Sequence, residues 1–202
     1  MLKIYGRKTS SNVQKVLWCC EEIGLPFERL DYGGEFNNGK SPEYLALNPN
    51  GLVPTIADGG FILWESNACV RYLASQYGKG GLWPADPQRA ASASRWMDWQ
   101  LSTLGPPTGV LFRALLRKEA IPQPEVDAAA KRGGEVWALL DAQLAKTPFV
   151  AGDALTVGDI AMGNAIHRWY KYDIAKPALN HLRAWYERCL ARPAYLKHIG
   201  SS

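Results

Sequence analysis

The chain has 202 residues, a formal net charge of +4 and 47% hydrophobic content, enough apolar material for one large or two modest domains. The charge is not gathered into a Lys/Arg block, so nucleic acid is not an expected partner, and no apolar run approaches membrane-spanning length. Four Cys in a chain of this size do not make a disulfide scaffold, and Met1-Leu2-Lys3-Ile4-Tyr5 lacks the long apolar core of a signal peptide, so a reducing, cytoplasmic setting is expected.

Leu2 to Tyr5 alternates and predicts a strand. Thr9-Ser10-Ser11-Asn12 is a run of helix-capping residues. Val13, Val16, Leu17, Cys20 and Ile23 follow at helical spacing, and Gly24 stops the helix. Cys19 and Cys20 fall inside it and read as small buried hydrophobes. Phe27 to Tyr32 predicts a second strand, and a Gly/Asn loop runs from Gly33 to Lys40. Ser41-Pro42-Glu43 opens a short helix with Pro at its first position. Val53-Pro54-Thr55-Ile56 puts a Pro at the mouth of a short β-rich run. Asp58-Gly59-Gly60 predicts a hairpin turn into Phe61-Ile62-Leu63-Trp64. Glu65-Ser66 then open a helix with Ala68, Cys69, Tyr72 and Leu73 on one face. The order β-α-β-α-β-β-α implies one mixed sheet with helices on it, its first two strands parallel and its last two antiparallel.

Residues 78–87 form a Gly/Pro-rich linker, and beyond it no strand pattern is convincing. Ala93, Trp96, Met97, Leu101 and Leu104 mark a helix broken at Gly105-Pro106-Pro107. Val126, Ala130, Gly133, Trp137, Leu140 and Leu144 mark another, weakened by Gly133-Gly134. Thr156-Val157-Gly158-Asp159 is a variant capping box, and Leu179, Leu182, Tyr186 and Leu190 mark a later helix ending before Pro193. The expected architecture is an α/β domain over 1–77, the linker over 78–87 and an all-α domain over 88–202. His167, His181 and His198 lack metal-ligand spacing, and no metal is expected.

Asn48-Pro49-Asn50-Gly51-Leu52-Val53-Pro54, followed by Glu65-Ser66-Asn67-Ala68, resembles the glutathione site of soluble glutathione S-transferases. The order of elements resembles that family across nearly the whole chain: a thioredoxin-like domain, then an all-α domain. Phe149 to Asp159 also resembles its helix-capping element. The resemblance implies that Pro54 is cis, that Val53 meets the cysteinyl backbone of glutathione and that Glu65 and Ser66 take its γ-glutamyl end. Lys40 matches a residue that contacts the glycyl end. Leu52 departs from the pattern, since phi-class members have a Gln there that helps bind glutathione.

A redox thioredoxin-like protein would carry Cys-x-x-Cys at the start of its first helix. This chain has Ser10-Ser11-Asn12-Val13, so chemistry through its own dithiol is not expected. A hydroxyl at a helix N-terminus can instead donate to an incoming thiolate. Alignment with the phi and zeta classes gives Ser10 that role, and alignment with the theta and delta classes gives it to Ser11. Asn12 falls where some bacterial members have a glutathione-contacting Asn. Trp96, Trp99 and Thr103 share a helical face, with Arg113 beyond the kink, and are the candidate walls of a second-substrate pocket. Taken together, these features imply a cytoplasmic, homodimeric glutathione S-transferase that presents the glutathione thiolate to a small apolar electrophile or a peroxide. Two alternatives stay open: a glutathione-dependent peroxidase or disulfide-bond reductase, and a non-catalytic glutathione-binding module.

Overall fold

The computed structural model describes residues 1–201. Strands β1 (Leu2–Tyr5), β2 (Phe27–Leu30), β3 (Thr55–Asp58) and β4 (Phe61–Trp64) form one sheet in the order β2-β1-β3-β4. β1 runs parallel to β2, with Leu2 opposite Phe27, and antiparallel to β3, with Tyr5 opposite Thr55. The parallel pair requires a crossover, supplied by α1 (Ser11–Glu22). Asp58 faces Phe61 across a two-residue turn, where Gly59 and Gly60 take φ of 55° and 95°. Both values lie in the region glycine enters without a steric cost. The second strand stops at Leu30, two residues before Tyr32.

Two further helices complete this unit. α2 (Pro42–Leu47) is capped by the Ser41 hydroxyl, which accepts from the Tyr44 N–H at 3.3 Å. α3 (Ser66–Tyr77) follows the hairpin. The Tyr72 and Tyr77 hydroxyls both donate to Asp58 Oδ2, at 2.8 and 2.6 Å, and so tie the hairpin to α3.

The rest is helical: α4 (Pro87–Trp99), α5 (Gly105–Leu111), α6 (Gln123–Leu144), α7 (Val157–Lys171), α8 (Asn180–Leu190) and the short α9 (Pro193–Tyr195). The expected break at Gly105-Pro106-Pro107 is instead a wide turn. Residues Gln100–Leu104 are π-helical, and the Gly105 N–H bonds to the Gln100 carbonyl. A π-turn spares the prolines the carbonyl clash that an α-helix would impose, so the rod carries on. A second π-turn, Phe112–Leu116, ends it. α6 likewise runs unbroken through Gly133 and Gly134. A Cβ at Gly133 would lie 3.0 Å from the Trp169 ring, and one at Gly134 would lie 3.1 Å from Pro177. The glycines therefore buy close packing at the expense of helix propensity.

α1 is the hinge between the two units, packing on α3 and on α7. Its Trp18 is fully buried, meets Tyr195 edge-to-face at 4.8 Å and leaves no room for a side chain at Gly163 of α7. Trp137, Trp169 and Trp185 are also fully buried. Each such ring hides about 150–250 Å², an upper-bound gain of roughly 4–6 kcal/mol. α1 is thereby held between α3 of the first unit and α7 of the second.

Candidate functional site

Ser10 is the N-cap of α1, in extended conformation, and its side chain makes no capping hydrogen bond. The first helical bond runs from the Gln14 N–H to the Ser10 carbonyl at 2.9 Å. The N–H groups of Ser11, Asn12 and Val13 therefore lack helical acceptors and carry the positive end of the helix dipole. Ser11 begins the helix, and its carbonyl accepts from Asn164 Nδ2 of α7 at 3.1 Å.

The loop before β3 approaches from the other side. The Val53–Pro54 bond is cis. Val53 is wedged against two glycines, since a Cβ on Gly6 would lie 3.3 Å from its Cβ and one on Gly33 would lie 3.1 Å from its Cγ1. Buried polar groups hold the loop from beneath. Asn48 Nδ2 donates to the Leu52 carbonyl at 2.8 Å, and the Tyr44 hydroxyl donates to the same oxygen at 2.7 Å. Thr55 Oγ1 lies 2.9 Å from that hydroxyl. Leu52 itself points out and is 66% exposed, so no side-chain polar contact comes from that position. Lys40 Nζ donates to the Asn50 carbonyl at 2.8 Å and lies against Gly51.

Gly51 has φ of 63°, and an added Cβ would sit 2.6 Å from the Gly39 carbonyl oxygen. Backbone cannot yield as a side chain can, and the left-handed conformation adds strain of about 1–3 kcal/mol for a non-glycine residue. Gly51→Ala is expected to lose stability by about that amount in a denaturant titration and to weaken any ligand held by the Val53 loop. A loss below about 0.5 kcal/mol, the range of ordinary surface changes, would show that the loop relaxes freely.

Glu65 completes the corner. It is an exposed non-glycine residue with φ of 72°, and it precedes the buried Ser66. Strain at such a residue persists only where its surroundings over-determine it. Ser66 Oγ donates to Asn12 Oδ1 at 3.3 Å. This contact joins the N-termini of α1 and α3. Ser10, Ser11, Asn12, Val53, Pro54 and Ser66 thus converge on one corner, and Lys40 borders it.

A cavity of about 340 Å³ opens beside this corner, lined by Ser11, Asn12, Lys15, Gln100, Thr108, Phe112, Asn164, Arg168 and Tyr172, among others. The expected walls Trp96, Trp99, Thr103 and Arg113 do not line it. Trp96 and Trp99 pack on each other at 5.2 Å, and Arg113 pairs with Glu119. The π-turn shifts the facing positions along the rod, bringing Gln100, Gly105, Thr108, Gly109 and Phe112 to the cavity instead.

Lys15 was not singled out by the sequence pattern. It is 4% exposed and donates to Asn67 Oδ1 at 3.2 Å and Gln100 Oε1 at 3.0 Å. Asn67 Nδ2 in turn donates to the Met97 carbonyl at 3.0 Å. The available signal is polar residues set beside apolar ones, Gln14-Lys15 between Val13 and Val16 and Asn67 before Ala68. Burial lowers the Lys15 pKa from 10.5 to about 8, partly offset by the charge of Glu65. Asn67 and Gln100, its other polar neighbours, are neutral. Because the folded value lies below the unfolded one, the stability contribution of Lys15 is complete above 10.5 and falls away as pH drops through 8. Relative to Lys15→Met, the wild type should therefore gain roughly 1 kcal/mol between pH 8 and 9 in denaturant titrations. Parallel pH profiles for the two proteins would mean that Lys15 is hydrated and titrates near its ordinary value.

All four cysteines are buried and unpaired. Burial pushes the thiols of Cys20 and Cys69 up to about 12. They are poor nucleophiles near neutral pH.

Known proteins resemble the chain along nearly its whole length. The glutathione S-transferase N-terminal domain family matches residues 9–76, and the C-terminal domain family matches residues 101–193. Glutathione S-transferase GstB of Escherichia coli (strain K12) is 42% identical over 98% of both chains. Glutathione S-transferase 3 of Zea mays is 33% identical over 99% of this chain and 94% of its own. Among solved structures, the theta class glutathione S-transferase of Xanthomonas axonopodis pv. citri with glutathione bound superposes with a TM-score of 0.94. It is 43% identical, over 100% of this chain and 98% of that one. With its thioredoxin-like N-terminal unit and helical C-terminal unit, the chain belongs to the glutathione S-transferase family.

Proposed function

We propose that this protein binds glutathione across the Val53–Pro54 loop and transfers its thiolate to an electrophile in the adjoining cavity. The observation that carries this reading is the Asn12–Ser66 hydrogen bond, which sets two helix N-termini side by side. One of these N-termini holds a carboxylate, and the other holds a thiolate. The Val53 backbone pairs with the cysteinyl unit, Glu65 and Ser66 bind the γ-glutamyl end, and Lys40 binds the glycyl carboxylate. Ser10 donates its uncommitted hydroxyl to the sulfur.

A peroxide in place of the carbon electrophile would use the same thiolate, since the protein's own thiols are buried. Ultraviolet thiolate absorbance of bound glutathione across pH, paired with a conjugation assay, tests the reading. A depressed thiol pKa with turnover supports it. Binding without depression or turnover would leave only a glutathione-binding module, and no binding would overturn the reading altogether.

We further propose a two-fold homodimer in a reducing, cytoplasmic setting. The four unpaired cysteines are in keeping with that setting, and two-fold pairs are the commonest soluble assembly. Light scattering that returns a monomer mass at micromolar concentration would count against the dimer, and recovery from an oxidising compartment on cell fractionation against the location.

A further inference from the structure

We infer that Asn164, on α7 of the helical unit, is a positioning residue for the glutathione thiol, acting through its hydrogen bond to the Ser11 carbonyl. The inference rests on the transferase reading and adds to it a residue from outside the N-terminal unit.

Asn164 Nδ2 donates to the Ser11 carbonyl at 3.1 Å, and among the described residues its side chain makes no other hydrogen bond. Asn164 is 5% exposed and stands in the middle of α7, between Gly163 and Ala165. Burying an amide is costly unless it is hydrogen-bonded, and asparagine is a poor residue for a helix interior. For packing alone an apolar side chain would serve better there. What the amide adds is one directed bond to the turn that the proposed thiolate faces. Ser11, Asn12 and Asn164 line the same cavity.

The Ser11 carbonyl and the Asn12 N–H belong to one rigid, planar peptide unit and point to opposite sides of it. Holding the oxygen therefore sets the direction of the N–H, which is one of the free donors at the start of α1. A donor on the oxygen also polarises the peptide and strengthens its N–H. Asn164 does not touch the sulfur and acts on it through this peptide. Its own base is firm. The Gly163 carbonyl accepts from the Tyr195 hydroxyl at 2.8 Å, and a Cβ on Gly163 would lie 2.5 Å from the buried Trp18 ring. From the other side, α3 holds the same stretch of α1 through Ser66 to Asn12 at 3.3 Å and Asn67 to Lys15 at 3.2 Å. The turn is clamped between the two units, and Asn164 is the helical unit's part of the clamp.

The test is the thiol pKa of bound glutathione, read from thiolate ultraviolet absorbance across pH in the wild type and two variants. Asn164→Leu nearly keeps the volume and removes the donor. It should raise that pKa by about half a unit to one unit, so kcat/KM for conjugation should fall about three- to tenfold at pH below the thiol pKa and converge on the wild type above it. Asn164→His carries an Nδ1 as many bonds from the backbone as the Asn Nδ2 and should recover part of the depression. An unshifted thiol in a folded Asn164→Leu protein, or a rate loss equal at every pH, overturns the inference and leaves Asn164 a fastener between the units. So does an Asn164→His protein whose thiol titrates where that of Asn164→Leu does. Should Asn164→Leu not fold, the wild type carries the test by nuclear magnetic resonance. The Asn164 side-chain amide signals should then shift as the bound thiol titrates, with the same midpoint, and signals that stay still overturn the inference. A wild type that binds glutathione without depressing its thiol overturns the transferase reading and this inference with it, whereas depression that is indifferent to Asn164 overturns the inference alone.

Discussion

Ser10→Ala is expected to slow conjugation ten- to a hundred-fold near neutral pH while leaving the fold almost untouched. A free thiol titrates near pH ~8.5, and each unit of depression corresponds to ~1.4 kcal/mol. One hydrogen bond to the charged sulfur supplies about 1.5–3 kcal/mol, and the helix N-terminus adds ~0.3–1 kcal/mol. Losing the first of these raises the pKa of bound glutathione, so the deficit should be largest at low pH and shrink as pH rises. Stability distinguishes this role from capping. An N-cap serine that bonds its helix costs about 0.5–2 kcal/mol when replaced by alanine. Ser10 makes no such bond, so its loss should move a denaturation midpoint very little. Ser11→Ala should leave the pH–rate profile as it is. The opposite pattern, with Ser11 carrying the rate effect, would transfer the role one residue along. If neither change alters the profile, a serine does not activate the thiol, and the backbone N–H groups of Ser11, Asn12 and Val13 with the Asn12 side chain become the source of stabilisation.

Much of the frame is legible in the sequence, because its signals are local. Hydrophobic spacing marked α1, and Asp58-Gly59-Gly60 marked the hairpin. Thr156 with Asp159 marked the start of α7, where both halves of a capping box are present. The corner at Ser10, Val53 and Ser66 was legible through resemblance, since nothing in its local spacing brings three distant segments together. Other features depend on partners far along the chain. The π-turn at Gln100–Leu104 cannot be seen in periodicity, and it rotates the cavity wall from Trp96 and Trp99 to Thr108 and Phe112. The role of Lys15 likewise needs Asn67 and Gln100, which lie 52 and 85 residues away. In the sequence it is one more charge on a helix. Gly133 and Gly134 look like weaknesses until Trp169 and Pro177 appear beside them.

Asp159→Ala should be the most damaging single substitution in the helical unit. The carboxylate is fully buried and has four donors aimed at it. Oδ1 accepts from the Val150 N–H at 3.1 Å and from Trp185 Nε1 at 2.9 Å. Oδ2 accepts from the Thr156 N–H at 2.8 Å and from Thr156 Oγ1 at 3.1 Å. One side chain thereby joins the loop before α7, the first turn of α7 and α8. Removing it strands four buried donors, each worth about 1–3 kcal/mol when unsatisfied. Relaxation recovers part of that, so a net loss of roughly 3–5 kcal/mol is expected, a large share of the ~5–15 kcal/mol that holds a domain together. Trp185→Phe removes one donor and should cost far less. The pH behaviour has the opposite sign from an ordinary paired carboxylate. Burial raises the Asp159 pKa, with its hydrogen bonds pulling against the shift, so the folded state takes up the proton first. Falling pH then adds stability from this group. Glu21, held below the usual carboxylate range chiefly by its hydrogen bond to Lys197, loses stability in the same direction and is the better source of acid unfolding. A denaturant titration in which Asp159→Ala stays within about 1 kcal/mol of the wild type would mean that water replaces the carboxylate, and that the α7 cap is not the keystone its geometry indicates.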